Sequence, residues 1–269
     1  MSLLVVTQLF IRYRKIMKYL LSLVISLIAF SLSAEDISFE NERLNYKVMF
    51  KWGIVQKQAG TATLTITNKN DMYITKLTAR TDPWADPLYT VRDTLNGKIQ
   101  KKGFLPVFYE KIAHEGSEYK HDIVKYTRSG NKVYGYCTRI ERDSEKKTGL
   151  KKEHIISGTG TTVDMLSVFY YMRSVDYSKM KKGQELKLNI FSGKFKETLT
   201  IKYLGTETIE NNNKPHNCYH ISFTFTQKGN TKTSDDMDAW ISTESHRIPI
   251  KLEGTLTVGK VQCFYTGSK

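Results

Sequence analysis

The six histidines (His114, His121, His154, His216, His220 and His246) are the first residues to question, because neutral imidazole is a common metal ligand. His216 and His220 stand four apart, a chelating spacing on a helix. Their surroundings read as strand, where four residues span about 13 Å along one face, too far for one ion. His121 and Asp122 are neighbours on opposite faces of a strand. Asp235-Asp236-Met237-Asp238 lacks the glycine and closing glutamate of a calcium loop and reads as an exposed turn. Ser167 sits in Leu166-Ser167-Val168, not in a Gly-x-Ser-x-Gly elbow, so serine-hydrolase chemistry has no support. The sequence predicts neither a metal site nor a cofactor. Cys137, Cys218 and Cys263 lie far apart. One disulfide with a thiol left over and three buried free thiols both fit this spacing.

Charged and aromatic side chains offer binding chemistry instead. Arg92 and Asp93 are adjacent on a predicted strand and point to opposite faces. One of them faces inward, where an unpaired charge is costly, and Arg173, Arg247 and Asp164 are available partners. Such a set can lock a helix against a sheet, or hold an anionic headgroup through bidentate arginine contacts. Trp52, Trp84, Tyr89, Phe169, Tyr170, Tyr171 and Trp240 supply the apolar part. Aromatics at alternating strand positions fill cores. Between a sheet and a helix they can also line a cavity for an acyl chain or part of a glycolipid. The candidate ligand-binding residues are therefore the tryptophans 52, 84 and 240, with Tyr89, Phe169 and Tyr171, and the charged Arg92, Asp93, Arg173 and Arg247. Strands also bring distant carboxylates together, so a pair acting on an acidic glycan remains an alternative.

One helix and many strands must position these groups. Residues 163–173 read as a helix, capped by Thr161 or Thr162, with Asp164 at its positive end and Arg173 at its negative end. Its apolar residues cover most of its circumference, so it needs cover on several sides. Elsewhere the period is two. Leu44, Tyr46, Val48, Phe50 and Trp52 alternate with Asn45, Lys47, Met49 and Lys51. Further strands are predicted over 72–81 and over 88–95, the latter turned by Asn96-Gly97, and over 106–114, 118–128 and 133–140. The charged run 141–152 reads as a loop tip. After the helix, strands alternate with turns at Ser192-Gly193 and Asn211-Asn212-Asn213 up to Tyr265. This rhythm predicts an all-β, mainly antiparallel fold. The expected form is a large meander barrel or half-barrel with the helix packed into or across it, in a single domain over 35–269.

Residues 1–34 stand apart. Met17-Lys18, an apolar run from Tyr19 to Phe30 and Ser31-Leu32-Ser33-Ala34 form a secretory signal. Arg12, Arg14 and Lys15 belong to an upstream start, with Met17 the alternative initiator, or to a lengthened basic region. The run is shorter than the roughly 20 residues of a spanning helix, and no cysteine follows it for lipid attachment. The expected location is periplasmic or secreted, with no stable membrane span. Without residues 1–34, which hold four basic and no acidic side chains, 235 residues remain and the formal charge falls from +14 to +10. That charge favours a solvated basic surface or acidic envelope polymers and anionic lipids as partners. Nucleic acid is excluded by export and by the lack of a dense arginine and aromatic run.

Several motifs occur in a fixed order. They are Trp52-Gly53, Ala59-Gly60, Tyr89-Thr90-Val91-Arg92-Asp93, Leu105-Pro106 and Asp164-Met165-Leu166-Ser167 with Tyr171 and Arg173. Trp240 and Arg247-Ile248-Pro249-Ile250-Lys251 with Val258-Gly259 complete the set. Together they resemble DUF3108, an exported bacterial family without an assigned activity, over nearly all of residues 35–269. The resemblance implies a periplasmic or envelope location and brings no catalytic residues. The expected function is non-enzymatic binding of an amphipathic envelope component, a lipid or glycolipid, or of a partner protein. A glycan-directed enzyme and a purely structural envelope scaffold are the alternatives.

Overall fold

The structure is a computed structural model and describes residues 37–143, 149–227, 237–255 and 259–268. The expected signal segment, residues 144–148 in the middle of the charged run and the Asp235-Asp236 pair lie outside the described residues. Eight strands come first: β1 (Glu42–Trp52), β2 (Val55–Lys69), β3 (Met72–Thr81), β4 (Val91–Gln100), β5 (Pro106–Glu115), β6 (Glu118–Ser129), β7 (Lys132–Asp143) and β8 (Leu150–Thr159). The short β9 (Thr162–Val163) and the helix α1 (Ser167–Ser174) follow. Then come β10 (Glu185–Phe191), β11 (Lys196–Asn211), β12 (Lys214–Gln227), β13 (Met237–Ser242), β14 (Pro249–Thr255) and β15 (Lys260–Ser268).

The strands form one fifteen-stranded sheet in the order β8-β7-β6-β5-β4-β3-β2-β1-β15-β14-β13-β12-β11-β10-β9. Every neighbouring pair is antiparallel except β9 with β10. Pairing of β1 with β15 joins the two halves of the chain and curls the sheet into a nearly closed barrel. Side chains bridge the remaining seam. Asn189 donates to the Thr159 carbonyl at 2.8 Å, and His154 Nε2 lies 3.2 Å from the Lys194 carbonyl.

Period-two burial defines the lumen. Leu44 and Tyr46 on β1, Leu64 and Ile66 on β2, Tyr73 on β3, Leu95 and Ile99 on β4 and Tyr109 on β5 share one buried cluster with Leu166 and Tyr170. The helix thus lies against the inner face, as the sequence predicts. It plugs the end of the barrel carrying the β2–β3 and β4–β5 turns, called the lower end below. Phe39, Tyr73, Phe104 and Tyr170 fill that end as packed rings, with centroids 5.2–6.2 Å apart.

The helix starts at Ser167, later than the expected 163, because Val163 pairs with Ile190 in the parallel ladder. Neither Thr161 nor Thr162 caps it. Asp164 Oδ1 accepts from the backbone N–H groups of Leu166 and Ser167 at 2.8 and 2.7 Å, and Ser167 Oγ accepts from Asp164 N–H at 2.8 Å. Eight residues are too few for a self-standing helix, so burial and this reciprocal cap hold it. Asn96-Gly97 is likewise no turn, since β4 runs straight through it. Gly97 is needed for close approach: a Cβ there would lie 2.4 Å from Thr75 Oγ1 and 3.2 Å from Leu166 Cδ2. The charged run 141–152 is also shorter as a loop than expected, because β7 continues to Asp143 and β8 starts at Leu150.

Candidate functional site

The other, upper end of the barrel carries the β1–β2 hairpin, the β3–β4 loop and the β5–β6 turn. There the inner face changes from large to small residues. Gly60, Ala79, Thr81 and Val91 follow the bulky Leu64, Leu77 and Leu95 of the same strands, and Val48, Phe50 and Val261 complete the wall. Gly60 sits at a register shift, where a Cβ would come within 2.3 Å of the Arg80 carbonyl. These small side chains leave an apolar cleft of about 420 Å³, roofed by Trp84, Ala85, Leu88 and Tyr89 of the loop 82–90.

Arg92 positions that loop. Its guanidinium donates to both Asp86 oxygens, at 3.0 and 2.6 Å, and to Thr81 Oγ1 at 2.8 Å. The Arg92 hydrogen bond holds the Asp86 carboxyl below its ordinary range, with Thr81 adding to the effect. Ala85 folds back onto the Asp82 carbonyl, and Leu88 and Tyr89 donate to the Ala85 carbonyl. Trp84 Nε1 donates to the Gln58 carbonyl at 2.7 Å while Lys57 Nζ lies 3.8 Å from its ring centroid. The loop is therefore fixed by a side-chain clamp at its base and an indole anchor on the neighbouring strand.

The inner face of β4–β7 beside the cleft is charged. Asp93, two residues below Val91, faces Lys111 and Glu115. Lys111 Nζ lies 2.8 Å from Glu115 Oε1 and 3.8 Å from Asp93 Oδ2. Burial, with the Glu115 charge adding, pushes the Asp93 carboxyl up to about 6. Burial also pushes Glu115 up, but the Lys111 bond and charge outweigh it and the group lies below its ordinary range. Deeper in, Arg139 joins Asp122 at 3.3 Å and Glu141 at 2.6 Å. Tyr89 links the two regions: burial and then the Glu115 charge raise its hydroxyl, and its ring lies 3.3 Å from where a Gly116 Cβ would stand. The lumen thus has an apolar wall and a zwitterionic wall. Glycoside hydrolysis needs carboxylates about 5–9.5 Å apart with room for sugar or water. Asp93 and Glu115 share one cation, Lys111 Nζ, and each is spent in an ion pair with it.

Five of the ten candidate residues belong to this end. Trp84 and Tyr89 line the cleft, Arg92 clamps its roof, Asp93 flanks it and Trp52 stands exposed at the tip of the β1–β2 hairpin. The other five lie elsewhere. Arg173 is fully buried at the lower end, where it grips both oxygens of Glu42 at 2.7 and 2.9 Å. It also donates to the Arg247 and His246 carbonyls at 3.1 and 2.7 Å. Arg247 is buried beside it, donating to the Val175 carbonyl and lying over the Tyr219 ring. Phe169 and Tyr171 ride on α1. Trp240 stacks on His220 at 4.5 Å, beneath Lys251. The space between helix and sheet is filled, so the cleft opens at the opposite end from the one the aromatics of α1 pointed to.

Sequence reading passed over Ala79, Ala85 and Leu88, whose small or isolated apolar character carries no periodic signal. It also passed over Lys111, Glu115 and Arg139. A signal for these existed: Glu118, Lys120 and Asp122 alternate on the same face as the buried Val124 and Tyr126. Among the described residues no group of three His, Cys, Asp or Glu side chains is arranged to hold a metal ion. Cys137, Cys218 and Cys263 are unbridged, and burial raises their thiols to about 11, 12 and 11.

Fold and cleft together define a nearly closed antiparallel β-barrel with an internal helix at one end and an apolar mouth at the other. The chain belongs to a family described as protein of unknown function (DUF3108), whose profile matches residues 45–264. Among solved structures it resembles a beta-barrel-like protein of the domain of unknown function DUF1849 from Brucella abortus. That likeness has a TM-score of 0.61 at 10% identity, over 87% of this chain and 98% of that one. An exported protein with a YmcC-like fold from Bacteroides fragilis matches at 0.37 and 6% identity, over 87% and 97% of the two chains. No functionally curated protein matches the sequence.

Proposed function

We propose that this protein is an exported envelope protein that binds the acyl part of an amphipathic envelope molecule in the cleft at its barrel mouth. The cleft carries this reading. Its volume of about 420 Å³ lies in the range of small-molecule sites, and its lining is almost entirely apolar side chains. The zwitterionic wall of Lys111, Glu115 and Asp93 stands where the polar end of such a molecule would rest. The segment Met17–Ala34 supports export, and no helix among the described residues is long and apolar enough to cross a membrane. The exported protein from Bacteroides fragilis is consistent in description only.

The test is titration with a fluorescent long-chain fatty acid. Wild-type protein gives saturable binding. Ala79→Trp, which fills the cleft from its wall, weakens binding at least tenfold while unfolding as wild type does. Absence of saturable binding, or a wild-type affinity in a folded Ala79→Trp protein, refutes the reading.

A further inference from the structure

Six of the ten exposed large apolar side chains among the described residues gather at the upper end, while Tyr136, Leu150, Ile155 and Phe195 lie on β7, β8 and the β10–β11 turn. Trp52, Ile54 and Val55 form the tip of the β1–β2 hairpin, and Leu88 and Tyr89 stand beside them on the loop over the cleft. Ile54 is fully exposed, and Leu88 and Trp52 are 76% and 64% exposed. Hairpin tips in water favour polar turn residues, because an apolar side chain there gains nothing from folding. The local sequence is Lys51-Trp52-Gly53-Ile54-Val55-Gln56-Lys57, an apolar tip between two exposed lysines. No acidic residue occurs in it. Tryptophan at the tip and lysines one step behind are arranged as the chemistry of a bilayer demands. Indole suits the headgroup level, aliphatic side chains go below it, and ammonium groups reach back to lipid phosphates. Lys260 stands opposite Lys51 across the β1–β15 ladder, but its ammonium is paired with Glu253 at 2.7 Å, so Lys51 and Lys57 carry the charge of the tip.

We infer that this end of the barrel docks on an anionic lipid surface, with the hairpin tip in the interface and the cleft opening toward the acyl chains. Charge selects the occupant: a flat apolar protein partner would not call for lysines on both sides of an apolar tip without an acidic residue, whereas anionic headgroups do. Docking of this kind is monotopic, through one hairpin and one loop. It gives the cleft access to lipid without the ligand crossing water. The purpose of docking rests on the acyl-binding reading, but its measurement does not.

The experiment is co-sedimentation of the exported protein, its N-terminus read by mass spectrometry, with vesicles of phosphatidylcholine alone or with phosphatidylglycerol. Wild type sediments with the anionic vesicles and much less with neutral ones, and added salt releases it. Ile54→Ser, at a side chain that touches nothing in the fold, lowers the partition coefficient about tenfold. Lys51→Ser lowers it several-fold on anionic vesicles only. Ala79→Trp leaves it unchanged while weakening fatty-acid binding at least tenfold, so the two readings fail separately. Wild-type protein that stays in the supernatant with anionic vesicles overturns the inference. So does an Ile54→Ser protein that sediments like wild type.

Discussion

Glu42→Gln is the change that probes the fold most sharply, because it strands a buried cation. Arg173 has no solvent exposure, and its charge is balanced by the two Glu42 oxygens. Its remaining N–H groups reach the Arg247 and His246 carbonyls, and its guanidinium carbon lies 4.2 Å from the centroid of the Phe39 ring. One arginine therefore ties α1 to the start of β1, to the turn before β14 and to the N-terminal arm. Glutamine is nearly isosteric, but it replaces one acceptor with an NH₂ that opposes a guanidinium N–H and removes the balancing charge. Breaking a buried pair in this way costs about 3–5 kcal/mol. Glu42 keeps some contact with solvent at 15% exposure, which places the expected loss near the lower figure, about 3 kcal/mol. With a urea dependence of about 3 kcal/mol per molar, the unfolding midpoint falls by about 1 M, read by tryptophan fluorescence. Arg173→Met removes the cation and takes one donor from each of two carbonyls, at roughly 1–3 kcal/mol each. Combining the two changes removes the stranded charge, so the double variant should lose at least about 2 kcal/mol less than the sum of the singles. A midpoint shift below about 0.3 M for Glu42→Gln, or strict additivity in the cycle, would refute the account of Arg173 as the tie between helix and barrel.

Three other outcomes follow from the same coordinates. The Asp164 carboxyl is raised to about 6, chiefly by burial, against the Ser167 and Leu166 hydrogen bonds that lower it. Between about pH 4 and 6 the folded chain then holds more protons than the unfolded one, so this residue's contribution to stability falls as pH rises through that window. The stability difference between wild type and Asp164→Asn should move in the variant's favour by up to about 3 kcal/mol from pH 4 to pH 7, and a pH-independent difference in thermal unfolding would contradict this. Gly97→Ala should cost about 1–3 kcal/mol in urea unfolding by pushing Thr75 against Leu166, and a neutral substitution would show that α1 has room to move. Cys137 and Cys218, buried and with raised thiols, should resist alkylation in the native protein and react on denaturation; rapid native labelling would deny that burial.

How much of this was legible beforehand depends on the range of the interaction. Alternation over 44–52 and the turns at Gly53, Ser192-Gly193 and Asn211-Asn212-Asn213 are local chemistry, and the strands end where they say. Asn96-Gly97 has the composition of a hairpin turn but lies inside β4, where Gly97 pairs with Thr75 on β3 and Tyr109 on β5 and where Thr75 Oγ1 and Leu166 leave no room for a side chain. Local turn preference lost to the ladders on both sides. The helix boundary moved for a similar reason, a two-residue ladder between β9 and β10 that no single segment encodes. For the site, Trp84, Tyr89 and Arg92 were visible as residue types, yet their common purpose was not. The Arg92 clamp depends on Asp86 being folded back by a loop turn. The cleft depends on Ala79 and Ala85 being small, and an alanine in a strand or loop announces nothing. Arg173 and Arg247 show the opposite failure, residues with binding chemistry spent on holding the lower end together.

The two ends of the barrel therefore divide the work, and the division limits how any ligand can bind. Among the described residues the packed rings of Phe39, Tyr73, Phe104 and Tyr170 and the buried Arg173 fill the lower end. In the proposed reading a molecule enters and leaves by the upper mouth, past Leu88 and Tyr89. In the proposed reading its chain lies along Val48, Phe50 and Val261, and its polar end turns toward Lys111, where cation and carboxylate are both within reach. A free fatty acid meets that wall with one charge and a zwitterionic lipid with two. Lys111→Met leaves Asp93 and Glu115 facing one another without their cation, so it should weaken the anionic probe while sparing a neutral long-chain alcohol. Equal loss of both probes would mean that the charged wall only shapes the barrel, and that recognition belongs to the apolar wall alone.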